Sequence, residues 1–168
     1  FKEMIEGLHI VNLKIIKANE GRVLHGLKKS EVQFNKFGEA YFSTIYKDKV
    51  KAWKKHTIQT QNIAVPVGKI RLVIFDDRKK TNSQGELMIL DLGRPEAYQR
   101  VKIPPGIWYG FTCISKTTAL IVNCADHPHN QSENLLRDVN DPYIPYDQLN
   151  IELDILKELL ESDKINEV

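Results

Sequence analysis

The stretch Arg100-Val101-Lys102-Ile103-Pro104-Pro105-Gly106-Ile107-Trp108-Tyr109-Gly110-Phe111 sets two apolar segments on either side of a sharp break. Proline cannot donate to a strand ladder and glycine accepts the backbone angles of a tight turn, so a strand ends at Ile103 and a second apolar run follows at once. Outward from this break, short segments dense in β-branched and aromatic residues recur between turn signals: Ile10 to Lys17, Ala40 to Tyr46, Ile63 to Val67, Ile70 to Phe75, Glu86 to Leu90 and Ala119 to Asn123. Spacing this regular predicts an all-β sandwich or barrel. Val67-Gly68-Lys69 reads as a tight hairpin connection, while Asp76-Asp77-Arg78 and Asn82-Ser83-Gln84-Gly85 bracket a longer polar loop.

Towards the carboxyl end the period changes. Leu149, Leu153, Leu156 and Leu160 fall on one helical face, with Glu152 and Asp154 in the first turn, which predicts an amphipathic helix over about 149–164. A chain of 168 residues fits one domain with a real core, so the whole of 1–168 is expected to fold as one unit. Lys and Arg total 24 against 22 for Asp and Glu, a balance that gives no overall pull towards nucleic acid or an anionic membrane. Cys113 and Cys124 sit inside apolar runs and not at a metal-like spacing, which points to small hydrophobic roles in a reducing compartment. The apolar runs are short and broken by charge, and Phe1-Lys2-Glu3 lacks the order of a signal peptide; the expectation is a soluble cytoplasmic protein.

Phe37-Gly38-Glu39, Lys51-Ala52-Trp53-Lys54-Lys55-His56, Val67-Gly68-Lys69-Ile70, Asp76-Asp77-Arg78 and the block from Ile103 to Phe111 follow one another in an order and spacing that resemble the dTDP-4-dehydrorhamnose 3,5-epimerase family. Asn123-Cys124-Ala125-Asp126, Glu133 and Asn140-Asp141-Pro142 extend the resemblance over most of residues 10–146. The resemblance implies an antiparallel jelly-roll barrel of the cupin class, here over about 37–142, with a polar pocket inside it. It also implies a dimer that exchanges amino-terminal strands, a nucleotide-diphosphate sugar as ligand, and no metal or organic cofactor.

The family's base is a histidine after an Arg-Gly-Leu-like strand segment, and its acid is a tyrosine on a later strand. Aligning Lys51-Ala52-Trp53 with that segment puts Lys54 at the base position, Val122 at the acid position, and Tyr109 in place of a pocket histidine. Side chains two apart on a strand share a face, so Lys54 and His56 are expected inward, with Trp53 and Lys55 outward. His56 is then a candidate base near neutral pH or a hydrogen-bonded barrel residue, and Lys54 a candidate partner for an enolate oxygen or a solvated cation. Tyr109 is a candidate acid donor or a packed aromatic. Gln61 is the ungapped match to a family lysine near the sugar, and Asn62 takes its place if the loop is shorter.

Glu39 and Ser43 match positions lining the nucleotide end of the pocket, or form a polar outward face. His129, in His127-Pro128-His129, is a candidate contact to sugar or phosphate; metal binding by the two histidines has no Glu or Cys cluster to join it. Arg22 beside Gly21 resembles, in inverted order, the family's amino-terminal Arg-Gly. The reading is a nucleotide-diphosphate-sugar epimerase or isomerase acting on a 4-keto sugar in surface-polysaccharide biosynthesis. The alternative is a non-catalytic nucleotide-sugar-binding cupin.

Overall fold

The computed structural model describes residues 4–146; the helix expected over about 149–164 lies outside the described residues. Twelve strands run in chain order: β1 (His9–Asn12), β2 (Ile15–Lys17), β3 (Arg22–Leu24), β4 (Glu39–Ile45), β5 (Val50–His56), β6 (Gln61–Val67), β7 (Lys69–Asp76), β8 (Leu87–Gly93), β9 (Gln99–Ile103), β10 (Ile107–Cys113), β11 (Ala119–Ala125) and β12 (Asn134–Leu136). They form two antiparallel five-stranded sheets, in the orders β1-β9-β6-β11-β4 and β12-β5-β10-β7-β8, and a separate β2-β3 hairpin. This is the all-β jelly roll expected, although one sheet begins at His9, ahead of the predicted barrel limit. The single strand expected from Ile10 to Lys17 is two strands, of which the first joins the barrel and the second, among the described residues, pairs with β3 alone.

The core explains the strand sequences. Along β7, Ile70, Leu72 and Ile74 are fully buried against Ile63, Val65, Val101, Ile103 and Ile121 of the facing sheet. Each such side chain contributes on the order of 1.5–3 kcal/mol on removal from water. The intervening Val73 and Phe75 are buried too, on the outer face, with Trp53, Trp108 and Ile144. Over Leu72–Phe75 the strand is covered on both faces and has no polar alternation, hence the continuous apolar run there.

The outer cluster is capped by residues 137–146. Asp77 accepts hydrogen bonds from the indole of Trp108 (2.9 Å), the ammonium of Lys55 (2.6 Å) and the phenol of Tyr143 (2.7 Å), and the Arg137 guanidinium lies 3.9 Å from the Tyr143 ring centre. Trp53 and Lys55 thus face outward, as the strand alternation predicts.

Two turns matter for the pocket. Val67-Gly68-Lys69 is not a hairpin: β6 and β7 belong to different sheets, and Gly68, at φ +74°, turns the corner between them. Pro104-Pro105-Gly106 is a second such corner, and its Gly106 amide donates to the carbonyl of His56 (2.7 Å), anchoring the end of β5. Across β5 and β10 the register shifts between Tyr109 and Phe111, so that Ala52 and Trp53 both stand opposite Gly110. A side chain at Gly110 would come within 2.6 Å of the Ala52 Cβ and 2.8 Å of the Trp53 ring, which explains the glycine. The bulge resets the alternation, and Lys51 and Lys54 both face the barrel interior.

Candidate functional site

A cavity of about 360 Å³ opens into the barrel between the sheets. Tyr41 and Ser43 from β4, Lys51 and Lys54 from β5, Tyr109 from β10 and Asn123 from β11 supply its polar lining; Ile63, Phe111, Ile121 and Leu136 supply an apolar wall. The strand alternation of β4 places Tyr41 and Ser43 on one face, and cross-strand pairing sets Tyr41 directly beside Asn123.

Behind Tyr109 runs a chain of hydrogen bonds. Glu133, buried in a short 3₁₀ turn (Gln131–Glu133), accepts the backbone N–H groups of Thr57 (3.0 Å), Ile58 (3.0 Å) and Gln59 (3.3 Å) with one oxygen and meets His56 Nδ1 at 2.5 Å with the other. Burial raises the Glu133 carboxyl, but the His56 hydrogen bond and the Ile58 and Gln59 amides outweigh it and hold it below the ordinary carboxylate range. A charged carboxylate can only accept, so Nδ1 carries the imidazole proton and Nε2 is left as an acceptor. The Tyr109 hydroxyl lies 3.2 Å from Nε2 and donates to it.

Burial lowers the His56 pKa against the opposing pull of Glu133, which keeps the ring neutral at pH 7. Burial, followed by the charges of Tyr41 and Glu133, raises the Tyr109 phenol far above its ordinary value. The neutral hydroxyl and the neutral imidazole are therefore matched as donor and acceptor.

A second chain consists of amides. Gln59 donates to the carbonyls of His127 (3.0 Å) and Pro128 (2.9 Å) and accepts from Gln61 (3.0 Å). Gln61 accepts from the Asn123 amide, whose nitrogen also donates to the Tyr41 oxygen (2.7 Å). Every amide is committed to one orientation, which fixes Asn123 and through it Tyr41.

A solved structure from Desulfovibrio desulfuricans, a dTDP sugar isomerase, is 44% identical, superposes with a TM-score of 0.84, and is covered over 92% of its chain by 86% of this one. The chain belongs to the dTDP-4-dehydrorhamnose 3,5-epimerase family of nucleotide-sugar epimerases and isomerases. A Haloferax volcanii relative, the probable low-salt glycan biosynthesis epimerase Agl13, is 35% identical over 64% of this chain and 66% of its own, a little under two thirds of its length. The Legionella pneumophila dTDP-6-deoxy-D-glucose-3,5-epimerase RmlC, in complex with dTDP-4-keto-L-rhamnose, shares the fold at 19% identity, with a TM-score of 0.76 over 86% of this chain and 80% of that one. No family model matches the chain.

Against the epimerase family pattern, Lys54, Ser43 and Tyr109 line the cavity, whereas His56 touches it only through Tyr109. Gln61 is buried behind Asn123. Asn62 faces the opposite side of the sheet, its amide on the Cys124 carbonyl (3.1 Å), because adjacent strand residues point to opposite faces; it does not serve the cavity. The same reason removes Val122 from the acid position: Ile121 and Asn123 point inward and Val122 outward.

Glu39 shares the face of Tyr41 but sits one pair beyond the cavity lining, opposite Ala125. His129 lies in a separate open cleft beyond Glu133, with Gln59 and His127, and Arg22 is on the exposed β2-β3 hairpin, away from the cavity of its own chain. The structure adds Glu133, Tyr41 and Asn123. Tyr41 was detectable as the residue between Glu39 and Ser43 on their shared face; Glu133 and Asn123 stood in the sequence only as positions of the family resemblance, and the role of Glu133 had no local signal, since its partner His56 is 77 residues away.

Among the described residues no three His, Cys, Asp or Glu side chains converge in a metal-like group. His127 is instead held by Asp126 (2.8 Å). No helix among the described residues is long and apolar enough to cross a membrane.

Proposed function

We propose that the protein moves a proton at a carbon next to the ketone of a nucleotide-diphosphate 4-keto sugar, as an epimerase or isomerase serving surface-polysaccharide synthesis. The observation that carries this reading is the Glu133–His56–Tyr109 chain, which ends with a phenol on the cavity wall. A ketone acidifies the hydrogens on the carbons beside it. Tyr109 can take such a proton while passing its own to His56 Nε2, and Glu133 stabilises the imidazolium that results. Lys54 places an ammonium where an enolate oxygen would form, and Lys51, at the cavity rim, is suited to the diphosphate. Because the substrate's own ketone holds the electron pair, the reaction calls for no metal or organic cofactor.

Incubating the protein in deuterated water with dTDP-4-keto-6-deoxyglucose tests this reading. Deuterium is expected at a carbon beside the ketone; tight binding with no exchange on any 4-keto sugar would instead identify a binding protein.

The β2-β3 hairpin supports a homodimer. It pairs with no other strand among the described residues and exposes Ile16 and Val23, while the β4 sheet edge exposes Phe42. Exchange of such hairpins between two copies would cover both surfaces and could bring Arg22 to the neighbouring cavity. Light scattering is expected to give twice the chain mass, and a monomer at all concentrations would remove the exchange. With both cysteines free, a reducing cytoplasm suits the protein.

A further inference from the structure

We propose that Tyr41 is a second proton-transfer group, donating to the face of the sugar carbon opposite the one served by Tyr109. The assignment rests on the epimerase reading above and adds the acid that inversion needs. Tyr41 belongs to β4 and Tyr109 to β10, strands of the two facing sheets, and both phenols line the cavity between them. Their hydrogen bonds are opposite in sense. Tyr109 gives its hydrogen to His56 Nε2 and is thereby set to receive one; the Tyr41 oxygen receives the Asn123 N–H at 2.7 Å, and its own hydrogen has no acceptor among the described residues.

That sense is forced by the amide chain behind it. Asn123 accepts the Asn62 backbone N–H with its carbonyl oxygen (3.1 Å), so its nitrogen must point to Gln61 and Tyr41. The inward group of β11 at this level is Asn123 and not Val122, and it orients a phenol from the neighbouring strand.

The proton balance closes. The C–H bond beside the ketone breaks, its proton passes to Tyr109 as the Tyr109 proton passes to His56, and the electron pair moves into an enolate whose oxygen faces Lys54. The ketone then re-forms as the carbon takes the Tyr41 proton on its other face. This leaves imidazolium at His56 and phenolate at Tyr41. Solvent entering the open cavity returns a proton to Tyr41 and removes one from His56 through Tyr109.

The test compares full-length wild type and Tyr41→Phe with dTDP-4-keto-6-deoxyglucose in deuterated water, reading deuterium uptake and inverted product separately. Thermal stabilisation by dTDP reports whether the variant's site is intact. Tyr41→Phe is expected to keep taking up deuterium with retained configuration and to form inverted product at least ~100-fold more slowly. Inverted product within threefold of wild type would overturn the role of Tyr41 alone. Loss of deuterium uptake with dTDP stabilisation intact would also overturn it, by making Tyr41 the base. Absence of uptake in the wild type would overturn the epimerase reading itself, and this inference with it.

Discussion

Tyr109→Phe is expected to lower the rate of hydrogen exchange beside the ketone by about 10³-fold, the usual scale for removing a positioned proton-transfer group. The phenylalanine ring keeps the packing of β10 in the core, and the lost hydroxyl leaves only His56 Nε2 without its donor, so a stability loss of about 1 kcal/mol is expected. The effect should fall on kcat, with KM for the nucleotide sugar little changed, since the phenol acts on the reacting carbon and not on the nucleotide. Single-turnover deuterium uptake with wild type and variant makes the comparison. Exchange within tenfold of wild type would mean that His56 reaches the substrate by itself and that Tyr109 is merely a packed aromatic.

The companion experiment on Glu133→Gln addresses position and not contact with substrate. An amide oxygen can still accept the backbone N–H groups, but the amide nitrogen then faces Nδ1. The change removes the charge that favours a protonated His56 and favours the tautomer whose Nε2 cannot accept from Tyr109, so the rate is expected to fall as well. The acid limb of the pH–rate profile, below which His56 is protonated and cannot accept from Tyr109, should therefore move to lower pH. A merely structural Glu133 would leave that limb in place.

Glu133→Ala is expected to cost the fold at least about 3 kcal/mol, because the Ile58 and Gln59 amides and His56 Nδ1 all lose a buried acceptor. Thr57 keeps the Glu133 backbone carbonyl at 3.0 Å and so contributes less. Urea denaturation of the two proteins measures the difference; a loss under 1 kcal/mol would show that the 57–59 segment turns its amides to solvent at no cost.

The same pair sets the acid stability of the wild type. His56 binds its proton less readily folded than unfolded, so its contribution is complete above the ordinary imidazole value of 6.5 and declines as pH falls below it. Glu133, with its folded value lowered, loses its contribution as pH falls from the ordinary carboxyl value of 4.5 through that lowered value. Both act in one direction, and the midpoint in urea should fall steadily from about pH 6.5 downward. In Glu133→Ala the decline near pH 4 should be shallower.

Much of this architecture was legible along the chain. Proline and glycine at 104–106 end β9 wherever it packs, and the alternation in β5 was enough to send Trp53 and Lys55 outward and Lys54 and His56 inward. Turn chemistry at Gly68 was legible as a turn but not as a corner, because its backbone angle does not say which sheet the next strand joins. The choice between Gln61 and Asn62 likewise depended on where β6 begins its pairing with β9, which Gln61↔Ile103 settles.

The sequence by itself determined the strands, their breaks, the family pattern and the residue types available for proton transfer, because these follow from backbone preferences and side-chain periodicity within a few residues. Only the tertiary structure decided which of those residues work together. Glu133 meets His56 across 77 positions and Asn123 meets Tyr41 across 82, so their hydrogen bonds exist only after strands distant in the chain have paired and their registers are set. Proton transfer depends on such distances to within a few tenths of an ångström, and no local propensity encodes them.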